Sequence, residues 1–250
     1  MKYWIWGIVL AVFCAGARAG EIYRDFTNTK GQTVRGRVVS FDTRKGIVQI
    51  EPEKGKKARI PLSALIEEDQ EYVRAWGNAQ NFMNTGRFRI SADCNREKNE
   101  SKSGVQGIYD RDVKNVGYKI TLDNHSDVAL SNIQLEYCIF YEQEDFKNGS
   151  DKAICEQGIY CGKMDIDGIE AGTEKVLQTT EVMVFKEEMD SSYYFTDGRP
   201  NVKDGQVHGL WLRASISLPD GERVYREFSM PNSLPNSRQW TTKTVRAGMN

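Results

Sequence analysis

The chain has 250 residues, with 34 basic against 35 acidic side chains, a formal net charge of −1 and only two histidines. It therefore has no electrostatic excess to draw it to nucleic acid or to an anionic membrane surface. Its length allows one large domain or two small ones with real cores.

Met1 and Lys2 form a short positive start, Tyr3 through Ala15 an almost uninterrupted apolar run, and Ala17-Arg18-Ala19 places small residues at the two positions a signal peptidase reads. This pattern predicts a cleavable signal peptide over residues 1–19, cut before Gly20. The apolar run is shorter than the roughly 20 residues of a spanning helix, which argues against an uncleaved anchor. A lipoprotein reading would use Cys14, and the bulky Phe13 before it argues against that. No later stretch is apolar enough to cross a bilayer. The mature chain is expected to be exported, periplasmic or extracellular, with no stable membrane span.

Of the five cysteines, Cys14 leaves with the signal. The other four, Cys94, Cys138, Cys155 and Cys161, fit two disulfides in any of three connectivities. Cys138 and Cys155 lie symmetrically about the turn-like Asp145-Phe146-Lys147-Asn148-Gly149. A hairpin there would set them opposite each other; Cys155 and Cys161 are the competing local pair. Without a Cys-x-x-Cys motif, and with two histidines, zinc is disfavoured.

From Glu21 to about Ile60 short strands alternate with turns. Ile22 to Phe26 reads as a strand and Asn28-Thr29-Lys30-Gly31 as a turn. Val34 to Val38 shows the two-residue period of a half-buried strand, and Ile47 to Ile50 and Ala58 to Leu62 follow, the last stopped by Pro61. The period then changes: Leu65, Tyr72, Val73 and Trp76 share a helical face, and Glu67, Glu68 and Asp69 sit in the first turn, where the helix dipole favours negative charge. Short strands closed by one helix predict a small barrel.

Gly31 to Val39, Gly46 to Ile50, and above all Ile60-Pro61-Leu62-Ser63-Ala64-Leu65 followed by Glu67-Glu68-Asp69-Gln70-Glu71-Tyr72-Val73 resemble the first homology domain of the yeast Sla actin-assembly and endocytic adaptor. That SH3-like module also recurs in exported planctomycete and verrucomicrobial proteins. The resemblance covers about residues 21 to 76. It implies peptide or protein binding, cytoskeletal partners in the yeast case, and no catalysis; export removes the endocytic role. Ile66 departs from the family, which usually has a Ser or similar helix cap there.

Gly77 to Gly86 is polar and is the expected linker. Beyond it apolar residues alternate again at Phe88 to Ala92, Val116 to Leu122, Leu135 to Tyr141 and Leu210 to Leu218. Turn residues fall at Asn124-His125-Ser126, Asp167-Gly168, Ala171-Gly172 and Pro219-Asp220-Gly221. This predicts an antiparallel, immunoglobulin-like β-sandwich over residues 87–232, with a loose tail over 233–250.

Asp165, Asp167 and Glu170 alternate like calcium ligands, but a full calcium loop needs more, and a strand followed by an Asp-Gly turn accounts for them. His125 and His208 have no local nucleophile, and no Gly-rich phosphate loop opens a helix. Tyr109, Tyr193, Tyr194, Trp211 and Trp240 are aromatics that need not all be core. Trp211 has the parity opposite to Leu210 and Leu212, so it should face away from the sandwich interior, where it could stack on a sugar or anchor a partner unless a linker, the tail or the first domain covers it. Sequons occur at Asn99, Asn124 and Asn148.

The expectation is an all-β, exported, non-catalytic, adaptor-like protein that binds a protein or peptide, without metal or cofactor. Its parts are a signal peptide (1–19), an SH3-like module (20–76), a linker (77–86), a sandwich and a tail. The alternative is a carbohydrate-binding or envelope accessory protein using Trp211, Tyr193 and Tyr194.

Overall fold

The computed structural model describes residues 23–105, 109–145, 154–190, 192, 201–218 and 221–247. Residues 1–19, read from the sequence as a signal peptide, and Tyr193 and Tyr194 lie outside the described residues. The fold is all-β, built of three antiparallel sheets. Among the described residues no helix is long and apolar enough to cross a membrane.

The first sheet is a meander of β1 (Arg24–Thr27), β2 (Thr33–Asp42), β3 (Ile47–Pro52) and β4 (Ala58–Pro61). Asn28 makes the first turn: its Oδ1 accepts the backbone N–H groups of Lys30 and Gln32, both at 2.9 Å, and Gly31 takes the left-handed conformation (φ 77°) that closes it. A 3-10 turn, Leu62–Ala64, carries the chain back to the sheet's opposite edge. There Thr29 N donates to Ala64 O and Ile66 N to Thr27 O, and a single bridge joins Asn28 to Leu65. Phe26, Val38, Val48, Ile50 and Leu65 fill the interior.

Helix α1 (Glu67–Met83) starts at Ile66 without a side-chain cap. Asp69 of its first turn faces the sheet instead, accepting Thr27 N at 2.6 Å and Arg24 Nη2 at 2.8 Å. The first half of α1 puts Tyr72, Val73 and Trp76 into the core of the small sheet, and the second half puts Ala79 and Phe82 into the next core. The linker expected over residues 77–86 is therefore mostly helix. Gly77 belongs to it because the Phe41 ring occupies the space its Cβ would need.

The remaining sheets pack face to face. One has the order β11 (Val202–Lys203), β10 (Val182–Met189), β6 (Tyr109–Asn124), β5 (Phe88–Val105), with β9 (Thr173–Gln178) also on β6. The other runs β13 (Arg223–Met230), β12 (Gly205–Ser217), β7 (Leu130–Asp145), β8 (Ile154–Ile169). Ile120 and Leu122 from one and Leu135, Ile139, Leu210 and Leu212 from the other share a core, as period-two burial requires. The buried amide of Gln143 ties the sheets together, accepting Phe185 N and donating to Phe185 O, both at 3.1 Å.

Asp167-Gly168, read as a turn, lies inside β8; the turn follows at Ala171-Gly172. The expected tail, described as far as residue 247, runs as a strap across the sandwich. Helix α2 (Leu234–Ser237) sets Leu234 over Cys138, Phe140 and Trp211. Val245 then pairs with the free edge of β8 at Ile159 through two 2.7 Å hydrogen bonds, and Ala247 is buried in the sandwich core.

Candidate functional site

A cleft of about 710 Å³ opens where loops of the small sheet meet loops of the sandwich. Its walls are the β2–β3 hairpin (Phe41, Asp42, Thr43, Arg44), Arg87 before β5, the β6–β7 loop (His125, Ser126, Asp127) and the Ala171-Gly172 turn. Asn124 builds the β6–β7 loop. Fully buried, its Nδ2 donates to Val128 O at 2.8 Å, Ile169 O at 3.0 Å and Glu170 O at 3.1 Å, while its Oδ1 accepts Ser126 N and Oγ. This satisfies loop backbone that would otherwise be buried unpaired. It also makes the sequon at Asn124 unusable in the folded chain.

Asp127 is the charge around which the cleft is arranged. Its Oδ2 accepts Arg44 Nε at 2.9 Å and the Thr43 hydroxyl at 3.4 Å, and its Oδ1 lies 3.8 Å from Arg87 Nη1. Burial pushes the Asp127 carboxyl up, but a backbone hydrogen bond and the two guanidiniums outweigh it and hold the group below the usual carboxylate range. Arg87 is positioned from α1, donating to Asn81 Oδ1 at 2.7 Å. His125 Nε2 lies 2.7 Å from Asp123 Oδ2. The Arg44 side chain is 81% exposed, so its pair with Asp127 is worth no more than about 1 kcal/mol. A ligand carboxylate can take over Arg44 and Arg87, and a ligand cation can take over Asp127, at little cost. Arg44, Arg87 and Asp127 had no sequence signature: they come from three separate segments.

The residues singled out from the sequence are scattered. Trp211 does face away from the sandwich interior, yet it is 8% exposed, under the edge of Trp240 (centroids 5.7 Å apart) and Leu234. As a surface binding aromatic Trp211 is thereby corrected: the strap covers it. Trp240 is itself stacked by Arg213, 4.3 Å from its ring. Asp165 and Asp167 lie on β8, with Asp165 accepting from Gln134 Nε2 at 2.9 Å; among the described residues no acidic, Cys or His cluster could hold a metal ion. The cysteine pairing expected from the hairpin is also corrected. The β7–β8 register sets Cys138 opposite Cys161, and Cys155 opposite Glu144. Cys94 sits on β5 opposite Tyr118.

His208 occupies the β-bulge of β12, its Nε2 2.8 Å from Glu142 Oε2, and Gln157 Nε2 donates to the same oxygen at 2.8 Å. Cys155 also reaches Glu142, a juxtaposition with His208 that sequence spacing did not reveal. Burial and then the Glu142 carboxylate push the Cys155 thiol up, which disfavours the thiolate a nucleophile needs.

No family model and no curated protein matches this chain. Among solved structures it is similar to SoR45, a target of the Northeast Structural Genomics Consortium, at 12% identity and a TM-score of 0.26, over 56% of this chain and 84% of that one. It is also similar to a mutant β-glucosidase from Listeria innocua in complex with laminaribiose, at 13% identity and a TM-score of 0.13, over 55% of this chain and 16% of that one. Likenesses this distant carry no argument about activity.

Proposed function

We propose that this is an exported, non-catalytic, adaptor-like protein that binds a charged peptide or protein segment in the cleft between its small sheet and its sandwich. The observation that carries the reading is the arrangement of exchangeable charges around Asp127, Arg44 and Arg87 on loops supplied by both units. Such a wall suits a polar chain bearing both signs of charge better than an apolar small molecule, which needs a mostly hydrophobic enclosure. The Sla homology resemblance of residues 21 to 76 supports protein binding, and the signal-peptide pattern supports export. The saccharide alternative has lost Trp211, its principal residue, to the strap.

Affinity capture from the native envelope fraction tests the reading, using the chain from Gly20 onward and its Arg44→Ala/Arg87→Ala variant side by side. A protein retained by the parent should bind the variant at least tenfold more weakly in titration calorimetry. Equal retention and equal affinity would exclude the cleft as the binding site.

A further inference from the structure

We propose that Cys138 and Cys161 form a disulfide that staples β7 to β8 beneath the C-terminal strap. The two residues are direct partners in the antiparallel register, and their sulfurs approach to 2.6 Å. Residues directly opposite in such a ladder have Cα atoms about 4.5–5.5 Å apart, within the span a disulfide bridges. The alternatives fail on distance. Cys155 pairs with Glu144 further along β8, and at about 3.3 Å of rise per residue it lies roughly 20 Å from Cys161, against a limit of about 7 Å. Cys94 belongs to the opposite sheet.

The strap decides which sulfur meets an oxidant. Both cysteines line a small cleft with Lys163 and Trp240, but Cys138 is buried, with its thiol donating to Thr241 O at 2.8 Å, whereas Cys161 is half-exposed. The Cys161 thiolate attacks an external disulfide such as oxidised glutathione, forming a mixed disulfide and expelling one external thiolate. The Cys138 thiolate then attacks the Cys161 sulfur and expels the second. Two protein thiols and one external disulfide become one protein disulfide and two external thiols, which keep both protons. Burial pushes both protein thiols up, so closure should speed up as the pH rises. Oxidation removes the donor to Thr241 O, but the strap stays held by Cys161 N donating to Thr244 Oγ1 at 3.1 Å and by the Ile159–Val245 pair. The pairing rests on the register alone; the export reading bears only on whether the cell supplies the oxidant.

The test uses the chain from Gly20 onward carrying Cys94→Ser and Cys155→Ser, treated with oxidised glutathione and digested without reduction. The expected product is one linked species joining the Cys138 and Cys161 peptides, lighter than their sum by about 2 Da, the two hydrogens lost on oxidation. Its free-thiol titre should fall to background and return on reduction. Cys161→Ser in the same chain should leave no bridge. The same digest on the chain with all four of these cysteines keeps the test open if the double variant does not fold. Links that run through Cys94 or Cys155 would overturn the assignment, as would full alkylation of Cys138 and Cys161 after oxidation, or a glutathione adduct that persists on Cys161.

Discussion

Arg226, on edge strand β13, donates from Nη1 to the carbonyl oxygen of Phe82 at 3.0 Å, and the same nitrogen donates to Phe88 O. Phe82 O belongs to the last turn of α1, where carbonyls have no partner within the helix and the dipole favours a cation. The last turn of α1 contains no basic residue of its own, so a strand more than a hundred positions away supplies one. The guanidinium also lies 5.5 Å from the centroid of the Phe88 ring. One side chain thus joins the shared helix, the first strand of one sheet and the edge of the other.

Arg226→Ala should cost about 2 kcal/mol, the range for hydrogen bonds from a charged donor. For a chain of this size that corresponds to a fall in Tm of about 4–8 °C. Thermal denaturation followed by circular dichroism measures it. Arg226→Lys should recover only part of the loss, because a point ammonium lacks the guanidinium's fork. An unchanged Tm for Arg226→Ala would show that the junction does not depend on this residue.

Gly158 and Gly162 should tolerate no side chain. The register sets Tyr141 opposite Gly158 and Tyr137 opposite Gly162, and each tyrosine ring lies in the space the glycine's Cβ would take. Gly158→Ala and Gly162→Ala should each destabilise by about 1–3 kcal/mol through overpacking. Gly168→Ala is the control on the same strand, since its Cβ would come no closer than 3.4 Å to Leu130 O. Urea unfolding midpoints that rank Gly168→Ala with the other two would contradict this packing.

Asp127 should make stability fall in acid. Its folded-state carboxyl is depressed, so its contribution is complete above the unfolded value of about 3.9 and disappears as the pH drops through the lower folded value. Asp127→Asn should lower Tm slightly near neutral pH, by the equivalent of no more than about 1 kcal/mol. The difference from the parent should vanish in strong acid and shrink with added salt. A difference that grew below about pH 4 would mean the sign is wrong.

Strand alternation was legible wherever a strand's own residues face one core. Val116 to Leu122 and Leu135 to Tyr141 show it because inward positions need apolar side chains. Most of β8 was not, because its pattern is written by its neighbour: glycines stand at 158 and 162 where apolar residues would be sought, and Tyr141 and Tyr137 fill the space from β7. The second half of α1 was unreadable for a related reason. Gly77 and the polar residues around it look like a linker until Phe41, from a distant hairpin, is packed against the glycine.

By itself the sequence determined the all-β class, the change of period at α1, the outward parity of Trp211 and the signal-like start. Each follows from the residues of one segment: side-chain period, turn chemistry and local composition. Only the tertiary structure decided that α1 serves two cores, that the last residues strap down Trp211, that Cys138 faces Cys161, and that Arg44, Arg87 and Asp127 meet in one cleft. Those relations join segments far apart in the chain, and their geometry is set by strand register and by the packing of neighbouring elements, which no local pattern encodes.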